Sequence, residues 1–113
     1  MHVNYKRPLA NFVKKTNKPL QLVIEDRAKS IISNPNIGER KTADLSGIYV
    51  YKFNYQRQLY LIAYTFSLEN ESLEVIWIDF YRIGSHENFY KELKQFLKNE
   101  GAPKRPAHLR RVK

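Results

Sequence analysis

The sequence has 113 residues with 20 Lys or Arg, 11 Asp or Glu, no Cys and a formal net charge of +9. This length suits one domain with one modest core, and the lack of Cys excludes disulfide bridges and thiolate zinc sites. No apolar run is long enough to span a bilayer and residues 1–6 contain no signal-peptide core, so we expect a cytoplasmic protein without a membrane partner.

The positive charge lies on the two flanks of the chain. Residues 1–41 and residues 82–113 each carry nine basic and three acidic side chains, whereas residues 42–81 carry two and five. A basic surface attracts polyanions through counterion release, and it also attracts acidic proteins. Charge alone therefore leaves both kinds of partner open.

Two helices are predicted at the start of the chain, after a short extended piece at Val3–Tyr5 that could add an edge strand. Pro8 and Pro19 each suit the first turn of a helix, where a missing N–H costs nothing. The second helix should end at Asn34, because the residue before Pro35 avoids the α region. Its apolar residues recur at helical spacing: Leu20, Val23, Ile24, Ala28, Ile31 and Ile32.

A loop and three strands are predicted next. Residues 36–47 are polar and predict the loop. From Ile48 the apolar period is two, which places Ile48, Val50 and Lys52 on one face of a strand and Tyr49, Tyr51, Phe53 and Tyr55 on the other. The aromatic row favours a core face, with a stacking platform for nucleic acid as the alternative. Residues 59–66 and 73–80 predict the other strands, and short turns favour an antiparallel meander.

The last helix is predicted after Gly84. Ser85 is a suitable N-cap, an apolar stripe follows from Phe89 to Leu97, and Gly101 ends the helix. The elements predict an α+β fold, in which an N-terminal helical hairpin packs on a small antiparallel sheet beside a C-terminal helix. The domain should cover residues 1–103, followed by a basic tail at 104–113 that is mobile in isolation. Predicted core residues are Leu20, Val23, Ile24, Ala28, Ile31, Phe53, Leu61, Ala63, Ile76 and Ile78.

Three strings of residues resemble the RelE/ParE toxin superfamily, over roughly residues 8–97. They are Leu45-Ser46-Gly47 before the sheet, Tyr60-Leu61-Ile62-Ala63-Tyr64 in the central strand, and Gly84-Ser85-His86-Glu87-Asn88-Phe89-Tyr90 after the last strand. The resemblance implies the toxin of a type II toxin–antitoxin pair, bound by an acidic antitoxin protein. Most studied members cleave messenger RNA on the ribosome, whereas the ParE branch poisons DNA gyrase.

The resemblance also implies site residues. RNA-cleaving members have a basic residue near the end of the first long strand, an Arg on the central strand, and a His or Arg plus an aromatic residue at the end of the sheet. Lys52 matches the first approximately, His86 and Tyr90 match the last two, and Leu61 stands at the Arg position. The predicted catalytic set is Lys52, Arg82, His86 and Tyr90, and the predicted RNA-binding set is Arg40, Lys41, Arg57 and Lys91.

Metal-independent RNA cleavage needs a base, an acid and cations that stabilise charge on the phosphate. The imidazole of His86 can accept and donate a proton near neutral pH, and at a helix N-terminus it would lie beside N–H groups that bind phosphate. Tyr90 could stack on a base. The alternative interpretations are a locally bonded His86, a Tyr90 that covers the sheet edge, a Lys52 at the solvent rim, and ordinary surface charges elsewhere. No metal and no small-molecule cofactor are expected.

Three functional hypotheses remain open. The chain is a ribosome-dependent mRNA endonuclease, a ParE-like inhibitor of DNA gyrase without nuclease activity, or an inactive relative that binds its antitoxin. His86 and Tyr90 favour the first hypothesis, and Leu61 favours the other two.

Overall fold

The computed structural model describes residues 2–69 and 74–100. Its helices and strands confirm the α+β class, and two short 3-10 turns, Pro35–Ile37 and Ala43–Leu45, interrupt the predicted loop. The elements in chain order are β1 (His2–Tyr5), α1 (Arg7–Lys15), α2 (Lys18–Ser33), β2 (Glu39–Arg40), β3 (Tyr49–Tyr55), β4 (Gln58–Leu68), β5 (Val75–Ser85) and α3 (Phe89–Glu100). No helix in the described ranges is long and apolar enough to cross a membrane.

The five strands form one sheet in the order β1-β5-β4-β3-β2. The meander of β3, β4 and β5 is antiparallel as predicted, and Gln56 and Arg57, with φ of 50° and 68°, form the two-residue turn between β3 and β4. The edge strand suggested at Val3–Tyr5 is present as β1, and it pairs parallel with β5, so the sheet as a whole is mixed. Two helices and a loop separate β1 from the meander, so no short turn constrains its direction.

The two faces of the sheet bury different residues. The first face, covered by α1 and α2, buries Leu9, Leu20, Ile24 and Ile31 against Phe53, Ile62, Tyr64, Ile78 and Phe80. The second face, covered by α3, buries Phe89, Leu93 and Leu97 against Ile48, Val50, Leu61 and Ala63. The aromatic row of β3 packs against the first face, which agrees with its interpretation as a core face.

Most predicted core positions are buried. Val23 and Ile76 are only half-buried, and the other eight predicted residues lie in the core. The buried residues of α2 are Leu20, Ile24, Ala28 and Ile31. Val23 lies at the margin of that stripe, because successive helical residues are about 100° apart.

The predicted start of the last helix is wrong. Strand β5 continues to Ser85, whose partner in β4 is Tyr60, and α3 begins only at Phe89. Asn88 has a φ of 63° and its carbonyl accepts the first helical hydrogen bond, from Glu92. The long β4 partner keeps residues 81–85 in the sheet, so Ser85 cannot cap the helix. The predicted tail, residues 104–113, lies outside the described residues.

Candidate functional site

The central strand fixes both ends of the loop between α2 and β3. The Tyr64 hydroxyl donates to the Pro35 carbonyl at 2.5 Å and accepts from the Gly38 N–H at 3.0 Å. Burial raises the pKa of Tyr64 to about 12, so the hydroxyl remains a neutral donor at physiological pH. At the other end, the Thr65 hydroxyl donates to the Gly47 carbonyl at 2.7 Å. These bonds hold the loop in one position against the sheet.

Gly38 is required at this attachment for reasons of space. A Cβ atom at residue 38 would collide with the Tyr64 hydroxyl. The backbone can therefore approach the tyrosine only where no side chain is present. This contact places β2, which follows immediately, along the edge of β3.

Strand β2 carries a carboxylate between two of the predicted cations. Glu39 pairs with Val50 of β3, and its Oε1 lies 3.1 Å from Lys41 Nζ and 3.9 Å from Lys52 Nζ. The hydrogen bond from Lys41 and the charges of both lysines hold the pKa of Glu39 below its usual value. The carboxylate is therefore charged at neutral pH and keeps the two ammonium groups close together.

Lys41 also contacts Tyr90, one of the two residues predicted at the end of the sheet. Its Nζ lies 5.1 Å from the centroid of the Tyr90 ring, in a cation–π contact. Burial disfavours its charged form, but Glu39 and Tyr90 outweigh that effect and raise the pKa of Lys41. The Tyr90 ring in turn meets the His86 ring edge to face, with centroids 6.4 Å apart. We call these five residues, Glu39, Lys41, Lys52, His86 and Tyr90, the Lys41–His86 cluster.

His86 occupies a different local structure from the one predicted. It lies in the turn between β5 and α3, with an exposed side chain, and its backbone N–H donates to the Leu59 carbonyl at 3.2 Å. It is therefore held at the end of β4 rather than on the first turn of α3. Its contact with Tyr90 comes from this turn and not from spacing on one helix.

The other four predicted site residues are not members of the Lys41–His86 cluster. Arg82 pairs with Glu92 of α3 at 2.7 Å, so its charge is neutralised within the protein. Arg57 lies in the β3–β4 turn, at the same end of the sheet as Leu59 and His86. Arg40 and Lys91 are exposed neighbours of Lys41 and Tyr90 along the chain.

Leu61 is a core residue. It is fully buried beneath α3 and pairs with Lys52 on one side and with Gly84 on the other. Leu61, which the resemblance sets at the position of the central-strand Arg, is thus an aliphatic core residue. Among the three residues paired here across the sheet, Lys52, Leu61 and Gly84, the one cation is Lys52 on β3.

Sequence reasoning missed Glu39, Gly38 and Tyr64. The only local signal for Glu39 was its spacing from Lys41, since residues two apart on a strand point to the same side. The Tyr64 hydroxyl is bonded to residues 26 and 29 positions earlier in the chain. A contact between residues so far apart in the sequence leaves no periodic pattern by which it could be predicted.

The cluster combines groups that act on phosphodiesters. His86 is an accessible proton-transfer group, and Tyr90 beside it offers an aromatic face. Lys41, which lies over the Tyr90 ring, and Lys52, which shares Glu39 with Lys41, supply positive charge. The carboxylate of Glu39 competes with any bound phosphate for the two lysines. Chemically, the arrangement is suited to hold a phosphate of a single strand beside an imidazole.

Comparison with known proteins identifies the family. A family model described as a ParE-like toxin of type II bacterial toxin–antitoxin systems matches residues 3–94. A chain of the intact E. coli RelBE toxin–antitoxin complex is similar in fold, with a TM-score of 0.54 at 13% identity over 76% of this chain and 96% of that chain. The isolated E. coli RelE toxin gives a TM-score of 0.52 at 13% identity over 85% and 98%. No curated protein matches the sequence. Because the family model covers most of the chain, the chain belongs to the ParE-like toxins of type II bacterial toxin–antitoxin systems.

Proposed function

We propose that this toxin is a metal-independent endoribonuclease that cleaves messenger RNA on the ribosome, with the Lys41–His86 cluster as its active site. The observation that carries the proposal is the chain of contacts from Lys41 through Tyr90 to the exposed His86. Dependence on the ribosome is inferred from the RNA-cleaving branch of the superfamily, whose fold this chain shares.

The residues divide the chemistry between them. When the 2′-oxygen attacks phosphorus, the 2′-hydroxyl loses a proton and the 5′-oxygen leaves with one. We assign proton transfer to His86, because the lowered pKa of Glu39 makes its carboxylate a weak base. Lys41 and Lys52 then stabilise the charge on the phosphate oxygens, and Tyr90 stacks on a neighbouring base.

A second candidate is supported by a separate observation. Leu61 is buried and Arg82 is paired with Glu92, so neither supplies a free cation on the sheet. This favours a toxin that blocks DNA gyrase, or an inactive relative, over a full set of RNA-cleaving residues. It agrees with the family model, which is named for ParE-like toxins.

We further propose an acidic antitoxin as partner and a cytoplasmic location for the pair. The family and the net charge of +9 support an acidic protein partner, and the RelBE neighbour is itself a toxin–antitoxin complex. Charge should set the association rate more than the dissociation rate. Stopped-flow measurements across a range of salt concentrations should therefore show an association rate that falls steeply with salt.

Two assays, mRNA cleavage and gyrase supercoiling, distinguish the two candidate functions. Primer extension on a translating message should show cleavage by the wild type, and His86→Ala should reduce it by about 10²–10⁴-fold, the usual contribution of acid–base catalysis. His2→Ala is the matched control, because His2 is exposed on β1. Intact message together with inhibited gyrase supercoiling would replace the nuclease proposal by the second candidate.

A further inference from the structure

The N-terminal part of the chain carries charge of one sign only. Residues 2–24 contain five Lys or Arg side chains and no Asp or Glu. Two of the basic residues, Arg7 and Lys15, are the first and last residues of α1. Both are exposed, and within the described ranges neither forms an ion pair. Their charges are therefore available to an external anion.

Two open clefts lie along α1 and share Pro8 and Asn11 as walls. One, of about 360 Å³, is also lined by Lys15, Thr16 and Arg82. The other, of about 290 Å³, is also lined by Arg7 and by Phe96 of α3. We call the two together the α1 groove. Its charged lining residues are Arg7, Lys15 and Arg82, of which Arg82 is already paired with Glu92. The positive charge that remains for an extended anion is that of Arg7 and Lys15.

The start of α1 carries cations where a helix prefers anions. Lys6 is the N-cap residue and makes no side-chain cap hydrogen bond, and Arg7 follows it. The helix dipole disfavours positive charge at this end, so both residues oppose local helix stability. Such a local conflict is expected where a residue is kept for function. A phosphate bound here would interact with Arg7 and with the positive end of the helix together.

The α1 groove differs from the other large groove on this side of the protein. The pocket between α1 and α2 has an apolar floor that includes Ile62 and Phe80, which suits the apolar side of a protein helix. The α1 groove also has apolar walls, which include Phe12 and Phe96, but between them it presents amide, hydroxyl and cationic groups. These are the groups that contact phosphates without reading sequence.

We infer that the α1 groove binds the phosphodiester backbone of a nucleic acid, with Arg7 and Lys15 each neutralising a phosphate. Eight residues of helix separate them, which corresponds to about 12 Å at about 1.5 Å per residue. This separation allows the two residues to contact different phosphates of one backbone. This surface is distinct from the Lys41–His86 cluster, and the inference does not depend on RNA cleavage.

The test measures binding of a fluorescent RNA hairpin, and of a DNA hairpin of matching sequence, at several salt concentrations. The protein is the full chain carrying His86→Ala, so that the RNA stays intact. Arg7→Gln with Lys15→Gln should weaken binding about tenfold or more at low salt and reduce the slope of log K against log [salt] by about two. The matched control is Lys29→Gln with Lys98→Gln, which removes the same charge from exposed residues that do not line the groove.

The outcomes are distinct. Weaker hairpin binding by the Arg7→Gln, Lys15→Gln variant, with unchanged binding by the control, supports the inference. If the wild type binds the RNA hairpin more tightly than the DNA hairpin, the phosphates are those of RNA, and the reverse result assigns them to DNA. Equal loss in both variants overturns it, because net charge alone would then explain the binding. Unchanged nucleic-acid binding with slower association to the antitoxin also overturns it and assigns the groove to the acidic protein. A wild type that fails to cleave message would remove the proposed nuclease activity but leave this binding result intact.

Discussion

The two faces of the sheet use the same strands in different ways. On the first face, stacked and tilted aromatic rings lie close together: Phe53 and Tyr60 at 5.6 Å, and Tyr64 and Phe80 at 6.0 Å. On the second face, the core beneath α3 contains fewer aromatic side chains and is bordered by the Lys41–His86 cluster. The aromatic face is built for stability, whereas the second face combines a smaller core with exposed charge.

Strand β3 shows how one sequence serves both purposes. Phe53 faces the aromatic core, while its neighbour Lys52 reaches Glu39 at the edge of the other face. Alternation with a period of two makes this division possible. If the comparison is right, mutations on the first face should mainly change stability, and mutations around the cluster should mainly change activity.

The largest expected effect is on the first face. Phe80→Ala removes a fully buried ring from the floor beneath α1 and α2, and we expect a loss of about 3–5 kcal/mol of unfolding free energy. Urea unfolding followed by circular dichroism measures it. Tyr5→Ala is the control, since Tyr5 stacks on Phe80 at 5.2 Å but is half exposed, and it should cost only about 1 kcal/mol. Equal losses in the two variants would contradict the core assignment.

The next largest effect connects the two faces through the loop. Gly38→Ala should displace the Tyr64 hydroxyl and the backbone of β2, with a loss of about 1–3 kcal/mol from broken buried hydrogen bonds and reduced toxicity because Lys41 moves. Gly84→Ala is the control, because its Cβ would meet Phe89 at an ordinary 3.8 Å. Chemical unfolding and growth arrest are both measured. A fully toxic and stable Gly38→Ala variant would show that the attachment does not position the site.

Alkaline pH should weaken the protein through its buried tyrosines. Burial raises the pKa of Tyr64 from 10.0 to about 12, and burial likewise raises the pKa of Tyr81. Below pH 10 both hydroxyls are protonated in the folded and unfolded states, so the two tyrosines do not lower the unfolding free energy there. Above pH 10 the unfolded state ionises first, and each tyrosine lowers the unfolding free energy by at most about 1.4 kcal/mol per pH unit. Urea unfolding from pH 9 to pH 12 should show a shallower decline in Tyr64→Phe than in the wild type; identical slopes would refute the assignment.

The smallest effect on stability is expected at Glu39. Its ion pairs are exposed and contribute little to folding, so Glu39→Gln should leave the unfolding transition nearly unchanged. The same substitution frees Lys41 and Lys52, and binding of a single-stranded RNA oligonucleotide at low salt should become tighter. Glu25→Gln adds the same charge on α2 and serves as the control. If Glu39→Gln and Glu25→Gln increase the affinity for RNA equally, net charge and not the cluster determines that affinity.

The elements of the fold could be predicted from local patterns. Pro35 marked the end of α2, the period of two assigned both faces of β3, and the short turns gave the meander. Leu61 and Ala63 were correctly placed in the core because they lie on a nearly continuous apolar strand. Each of these conclusions depends only on residues close together in the sequence.

The site depended on contacts that such patterns do not contain. Lys41 was predicted to bind RNA on the strength of its charge alone, but its position between Glu39 and Tyr90 could not be predicted, because it depends on Tyr64 binding the loop from another strand. Ser85 has the side chain of a helix cap but pairs with Tyr60 in the sheet instead. Pairing with a long neighbouring strand outweighed the local capping preference, which contributes only about 1 kcal/mol.

Growth arrest by the His86→Ala variant is the most direct test of the central claim that the Lys41–His86 cluster is the active site. His86 is exposed in a turn, so the substitution should change the unfolding free energy by no more than about 0.5 kcal/mol. We expect cells that express this variant to keep growing, whereas cells that express the equally stable His2→Ala variant stop. A folded His86→Ala variant that arrests growth as strongly as the wild type would contradict it.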